Sequence, residues 1–132
     1  MDSSTRKTVR ERAENRCEYC RLHQDQLPFV SFHVEHIIAR KHGGTDDLAN
    51  VALACDRCNG HKGSNLTGID SKTGKIIRLF DPRTQAWTDH FRIDGARIFG
   101  LTSAGRVTVH VLNMNAARRL RLRARLLANR EW

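Results

Sequence analysis

No apolar run in this chain approaches the ~18 residues that a membrane-spanning helix needs. The opening stretch, MDSSTRKTVRER, has no hydrophobic region of the secretory type. There is no internal repeat, no low-complexity tract and no linker clear enough to split the chain. Negative charge is also scarce: 14 Asp plus Glu stand against 23 Lys plus Arg, a net charge of +9 over 132 residues. These absences argue against a membrane protein and a string of domains. They lead to the expectation of a soluble, cytoplasmic protein, monomer or homodimer, with 1–132 as a single domain around one modest core. The positive excess points to a polyanionic partner, nucleic acid first, with a merely solvated basic surface as the ordinary alternative.

What the chain does have is four cysteines in two C-x-x-C pairs, CEYC (Cys17, Cys20) and CDRC (Cys55, Cys58). In a reducing compartment this pattern argues for metal rather than disulfides. Thiolates two residues apart can bend back onto one Zn²⁺, and two such pairs complete a tetrahedral site. A redox C-x-x-C needs only one pair; an iron–sulfur site is the other alternative. The gap between the pairs is long, so a whole structural unit must loop out between them.

Local patterns give a coarse order of elements. TRKTVRERAEN (5–15) reads as a short helix with Val9 and Ala13 on one face. FVSFHVE (29–35) alternates as a strand, ARKHGGTDD (39–47) is a loop with a Gly-Gly turn, and NVALA (50–54) is a second short strand. Asp56 is placed to cap a helix over about 57–63. Beyond Ser64 come a turn at Thr73-Gly74, a strand at 75–80, and further strands around Asp94-Gly95 and Ala104-Gly105. Residues 106–112 fit a strand through Val107, Val109 and Val111, or a helix capped by Thr102 or Ser103. Residues 114–130 read as a helix: Ala116, Ala117, Leu120, Ala124 and Leu127 form an apolar stripe expected to dock, and Arg118, Arg121 and Arg125 form a basic face.

The stretch FHVEHIIARKHGG (32–44) is odd because it sets His33, Glu35 and His36 inside an apolar run. Glu35-His36, then Asn50 fourteen positions after His36, then Asn59 nine further within CDRCNGHKG, resemble the HNH endonucleases, in the branch with a Cys₄ zinc knuckle. The resemblance covers roughly residues 10–68 and leaves 69–132 as a C-terminal extension. It implies an α+β chain: a ββα-metal (His-Me finger) nuclease core stapled by zinc, followed by a β-hairpin or strand region and the basic C-terminal helix. Zinc, held by Cys17, Cys20, Cys55 and Cys58, would tie the two ends of the core together.

The resemblance also implies roles. The activity would be metal-dependent hydrolysis of phosphodiester bonds, with double-stranded DNA as the expected partner. His36 would be the general base on water. Glu35 and Asn59 would hold a catalytic Mg²⁺ or Mn²⁺, since both offer the oxygen ligands these ions prefer. Family members more often carry Asp or His where this chain has Glu35. Asn50 would bridge backbone groups of the 39–47 loop and hold the strand carrying His36. His33 and His61 are candidate further ligands. Arg40, Lys41 and Lys62 would contact phosphates. Outside the resemblance, the basic face of Arg118, Arg121 and Arg125 would extend the DNA track along backbone, with an ordinary solvated helix face as the alternative. Two other functions compete: a non-catalytic zinc-ribbon-like module that binds nucleic acid, and an interaction protein using 75–112 as an exposed sheet.

Overall fold

The computed structural model describes residues 1–132. The chain is a mixed α/β protein with short antiparallel strand pairs, and it divides into two compact units. Unit 1 takes Met1–Leu66 together with 81–85; unit 2 takes Thr67–Phe80 and Ala86–Trp132. No helix is long and apolar enough to cross a membrane.

Unit 1 begins with α1 (Ser3–Arg12), whose N-cap Asp2 accepts from Thr5 N–H at 2.7 Å. Val9 is its one buried residue. Two of its arginines reach across the unit: Arg10 donates to Phe32 O, and Arg12 donates to Leu48 O and Val51 O. Strand β1 (His33–His36) pairs antiparallel with β2 (Val51–Ala54), setting His36 opposite Val51 and Glu35 opposite Ala52. The strand expected from 29 begins only at His33, because Phe32 N–H and Val30 O are taken by the Gln24 side chain instead of a neighbouring strand. All four residues of β2 are buried.

Helix α2 (Asp56–Lys62) follows β2 after one residue. Its N-cap is Cys55, whose sulfur accepts the N–H of Cys58, and not Asp56, which is the first helical residue. Buried Glu18 adds a polar clasp: it accepts from Leu53 N–H at 2.8 Å and pairs with Arg83, from the returning 81–85 segment.

Unit 2 contains two hairpins, β3 (Thr67–Ile69) with β4 (Ile76–Arg78) and β5 (Phe91–Asp94) with β6 (Arg97–Gly100), besides the short α3 (Trp87–His90). Helix α4 (Ser103–Val111) is capped by Thr102, and α5 spans Ala117–Ala128. Of the two readings of 106–112, the helix capped by Thr102 is the one formed, and the strands expected around Ala104-Gly105 are corrected there. Val107 and Val111 are four apart, a spacing that satisfies strand and helix periods alike. In the helix they pack over Gly68, where an added Cβ would lie 2.7 Å from each. Gly105 is confined by the carbonyl of His90, so no side chain fits there.

The core of unit 2 is aromatic and aliphatic: Trp87 stacks on Phe91, Phe80 meets Phe91 edge-on, and Ile98, Leu112 and Met114 are fully enclosed. Helix α5 is turned relative to the expected stripe. Ala117, Ala124 and Leu127 are exposed, while Arg119, Arg123 and Leu126 are buried. The reason is hydrogen bonding. Arg119 donates to Leu112 O at 2.7 Å, past the end of α4, where helical carbonyls lack partners. Arg123 donates to Ala96 O and Met114 O, both at 2.6 Å.

Candidate active site

The four thiols converge. The sulfurs of Cys17, Cys20, Cys55 and Cys58 all lie within 4.8 Å of one another, and every one of these residues is buried. Cys20 Sγ and Cys55 Sγ are 3.7 Å apart. A zinc–sulfur bond of about 2.3 Å in a tetrahedron requires sulfur–sulfur edges of about 3.8 Å, so the donor set fits Zn²⁺. The second residue of each pair turns its N–H back to the first sulfur, at 3.4 Å in both knuckles. Burial pushes the Cys17 and Cys58 thiols up, which keeps them neutral unless a cation is there to favour the thiolates. These four residues could bind zinc.

The end of β1 and the last turns of α2 border a shallow cleft lined by Glu35, His36, Arg40, Asn59 and Ser64. The route by which each residue arrives is local. Asn50 sits at the mouth of the loop joining the two strands and makes three hydrogen bonds. Its Nδ2 donates to Ile38 O at 3.0 Å and to Thr45 O at 2.8 Å, and its Oδ1 accepts from Ile38 N–H at 2.9 Å. Gly44 presses on the carbonyl of Ile38, where a Cβ has no room, and Gly43 takes a left-handed φ of 89°. The loop is thereby folded back on the strand end, and this brings Asp46 to His36.

Asp46 is the residue that motif spacing missed. Its Oδ1 lies 2.7 Å from His36 Nε2, and both its oxygens accept from Arg40 Nη2, at 2.6 and 2.7 Å. The His36 hydrogen bond first, and the Arg40 charge after it, hold the Asp46 carboxyl below its ordinary value. In a neutral imidazole, a carboxylate accepting at Nε2 selects the tautomer with its proton there and leaves Nδ1 as the lone pair. The available signal was the GGTDD turn: once a Gly-Gly reversal is read at 43–44, an acidic residue two positions on can return to the strand end.

Glu35 is buried, with 4 % exposure. Its Oε2 accepts from Tyr19 Oη at 2.7 Å, and the Lys62 ammonium lies against Oε1, which accepts no hydrogen bond of acceptable geometry. Burial raises the Glu35 carboxyl, and the Lys62 charge opposes that. Lys62, expected at a phosphate, is a correction: it is 2 % exposed and donates to the carbonyls of His36 and Ile37 at 3.1 and 3.0 Å. Its stem runs back from the C-terminal turn of α2 and its charge is used inside the unit.

The other candidates separate. Asn59 lines the cleft with Glu35 and His36. His33 is exposed and faces Asp56 at 3.3 Å, and it does not line this cleft; nor does His61, which is exposed. Arg40 borders the cleft, and Lys41 is exposed in the loop beside it. Arg118, Arg121 and Arg125 lie on the exposed side of α5, in unit 2. Glu35 and Asn59 carry the hard oxygen ligands a divalent cation prefers, but Glu35 Oε1 is enclosed against the Lys62 ammonium, so a cation held there would take the place of Lys62 as its partner.

Residues 17–65 match the family model of the HNH endonucleases. The matched segment runs from the first thiol pair through both strands and α2. Comparison with curated proteins gives no match, and comparison with solved structures gives none.

Proposed function

We propose that the chain is a metal-dependent endonuclease that hydrolyses phosphodiester bonds in DNA through the cleft at the end of β1. The observation that carries the reading is the His36–Asp46 contact beside Glu35 and Asn59 on one cleft. Asp46 holds the imidazole by Nε2 and leaves Nδ1 to take a proton from an attacking water. That water's oxygen forms the new bond to phosphorus as the bond to the 3′-oxygen breaks. The proton is held on His36 and its imidazolium is stabilised by Asp46. Glu35 and Asn59 would hold the divalent cation. Bound there, Mg²⁺ or Mn²⁺ would supply a Lewis acid for the phosphoryl oxygen and positive charge for the leaving group. Asn50 positions the loop that carries Asp46. The sulfur cluster, with Zn²⁺, fixes the start of α2 and hence Asn59. Arg40 is placed to meet a phosphate oxygen at the cleft edge.

The competing reading is a zinc-binding nucleic-acid module without catalysis. The thiol cluster and the buried Glu35–Lys62 pair suit it, since that pair also serves as a structural clasp. It assigns no role to His36 and Asp46. Supercoiled plasmid incubated with the protein and a panel of divalent cations decides between them. Nicking or linearisation that depends on Mg²⁺ or Mn²⁺ is the expected result. A gel shift without cleavage under every cation supports the second reading.

A further inference from the structure

A second cavity, of about 410 Å³, opens on the other flank of His36. It lies between α1 and β1 and is lined by Arg6, Arg10, Phe32, His33, His36 and Arg40, among others, with no carboxylate in its wall. Three guanidiniums and two imidazoles in one concave wall are more than a solvated helix face supplies. Two of the guanidiniums are already fixed: Arg10 is held by Phe32 O at 2.9 Å, and Arg40 is clamped on Asp46. An anion entering here would order little that is not ordered beforehand. The acids that face these groups are Asp46, across from Arg40 and His36, and Asp56, across from His33. Arg6 has no acidic partner.

His36 and Arg40 line both this cavity and the cleft that holds Glu35 and Asn59, so the two form one track with His36 at the junction. We propose that the arginine cavity is a phosphate subsite, gripping the sugar–phosphate backbone next to the bond that is cut. The course of the strand rests on the nuclease reading; the anion site itself does not. Guanidinium contacts of this kind hold backbone without reading bases, so the subsite serves register and affinity rather than sequence.

The test uses the full chain and a fluorescein-labelled 20-mer duplex DNA without added Mg²⁺ or Mn²⁺. Binding is measured by anisotropy between about 50 and 200 mM salt, the span over which phosphate contacts change affinity strongly. Arg6→Gln removes one predicted contact from an exposed position and should lower the slope of log K against log[salt] by about 0.9. Lys7→Gln, the same charge change on the neighbouring residue of α1, should lower it by less than half as much. Superimposable lines for Arg6→Gln and the unaltered protein would overturn the subsite. Equal slopes for Arg6→Gln and Lys7→Gln would also overturn it, because only bulk charge would then matter. Failure of the nuclease reading looks different: DNA binding with the Arg6-dependent slope, but no cleavage under any cation.

Discussion

In unit 1 the buried lysine, Lys62, lies against a carboxylate and two strand carbonyls at the edge of a cleft. In unit 2 the buried arginines, Arg119 and Arg123, bond carbonyls left over where α4 ends and where β6 begins. Both solutions hide a positive charge in a small core, but only the first sets that charge against an acid. A carboxylate whose burial works against its ionisation is a costly thing to retain for packing alone. The comparison teaches that burial of charge marks a reactive site only when the partner is itself ionisable and borders a cleft. Guanidiniums that close off orphan carbonyls are structural.

The comparison can be broken most forcefully through the metal. Removing Zn²⁺ by chelation, or Cys17→Ala, should unfold unit 1, since structural zinc contributes about 10–16 kcal/mol of apparent folding free energy in small sites. Both tryptophans, Trp87 and Trp132, lie in unit 2. Their fluorescence should therefore persist while helical circular dichroism drops. A simultaneous loss of the tryptophan signal would show that unit 2 does not keep its fold without the metal.

His36→Ala should next lower plasmid cleavage by about 10²–10⁴-fold, the usual contribution of a general base, with DNA affinity nearly unchanged. A wild-type rate would remove the base assignment. In unit 2 the matching test is Arg123→Ala. Ala96 O and Met114 O lose their donor, at about 1–3 kcal/mol for each buried group left unpaired. A urea melt followed by tryptophan fluorescence should show the loss, with cleavage rate retained at low denaturant; an unchanged midpoint would mean these bonds hold nothing.

A pH series sharpens the contrast further. Asp70 in unit 2 is 1 % exposed and accepts from Arg106, which holds its carboxyl well below the ordinary range. A depressed acid stabilises the fold above the unfolded value of about 3.9, and that contribution disappears as pH falls from there towards the folded value. The urea midpoint of the parent chain should decline below about pH 4. Asp70→Asn should start lower at neutral pH and decline less steeply. The smallest effect is expected from changing Arg118, Arg121 and Arg125 together to Gln. If that exposed face of α5 meets DNA backbone, the salt slope should flatten by roughly 2–3 with the chemical step intact. Identical salt dependence would leave the face as solvated surface.

Much of unit 1 could be read from the sequence because its chemistry is local. Paired cysteines, a Glu-His at the end of a strand and asparagines at fixed offsets need little tertiary knowledge to place. Asp46 escaped because its importance depends on how sharply Gly43 and Gly44 reverse the loop. Lys62 escaped because a long cationic side chain reads as solvent-facing until its stem is seen running under the strand. In unit 2 the heptad-like stripe located α5 but gave the wrong rotation. Apolarity predicts burial only where no better partner exists, and exposed carbonyls at the end of α4 outcompeted Ala117, Ala124 and Leu127 for the inward face. The alternating valines of α4 left strand and helix open for a related reason, since Gly68 and Gly105 create helix-packing room that no local pattern announces.

Cys55 is both a member of the thiol cluster and the N-cap of α2, and this bears on which insertions the domain can tolerate. The cluster fixes where the helix starts, so it also fixes the helix's phase. Asn59 is four positions on, about 400° of rotation, which returns it close to the azimuth of Cys55. One residue added between Cys58 and Asn59 would swing Asn59 by about 100° and carry it off the cleft, while leaving cap, cluster and helix content in place. The loop between the strands has no such phase to keep except at its two ends. Natural length variation in domains of this build should therefore collect between Asp46 and Asn50 or beyond Ser64, and be absent between Cys55 and Asn59.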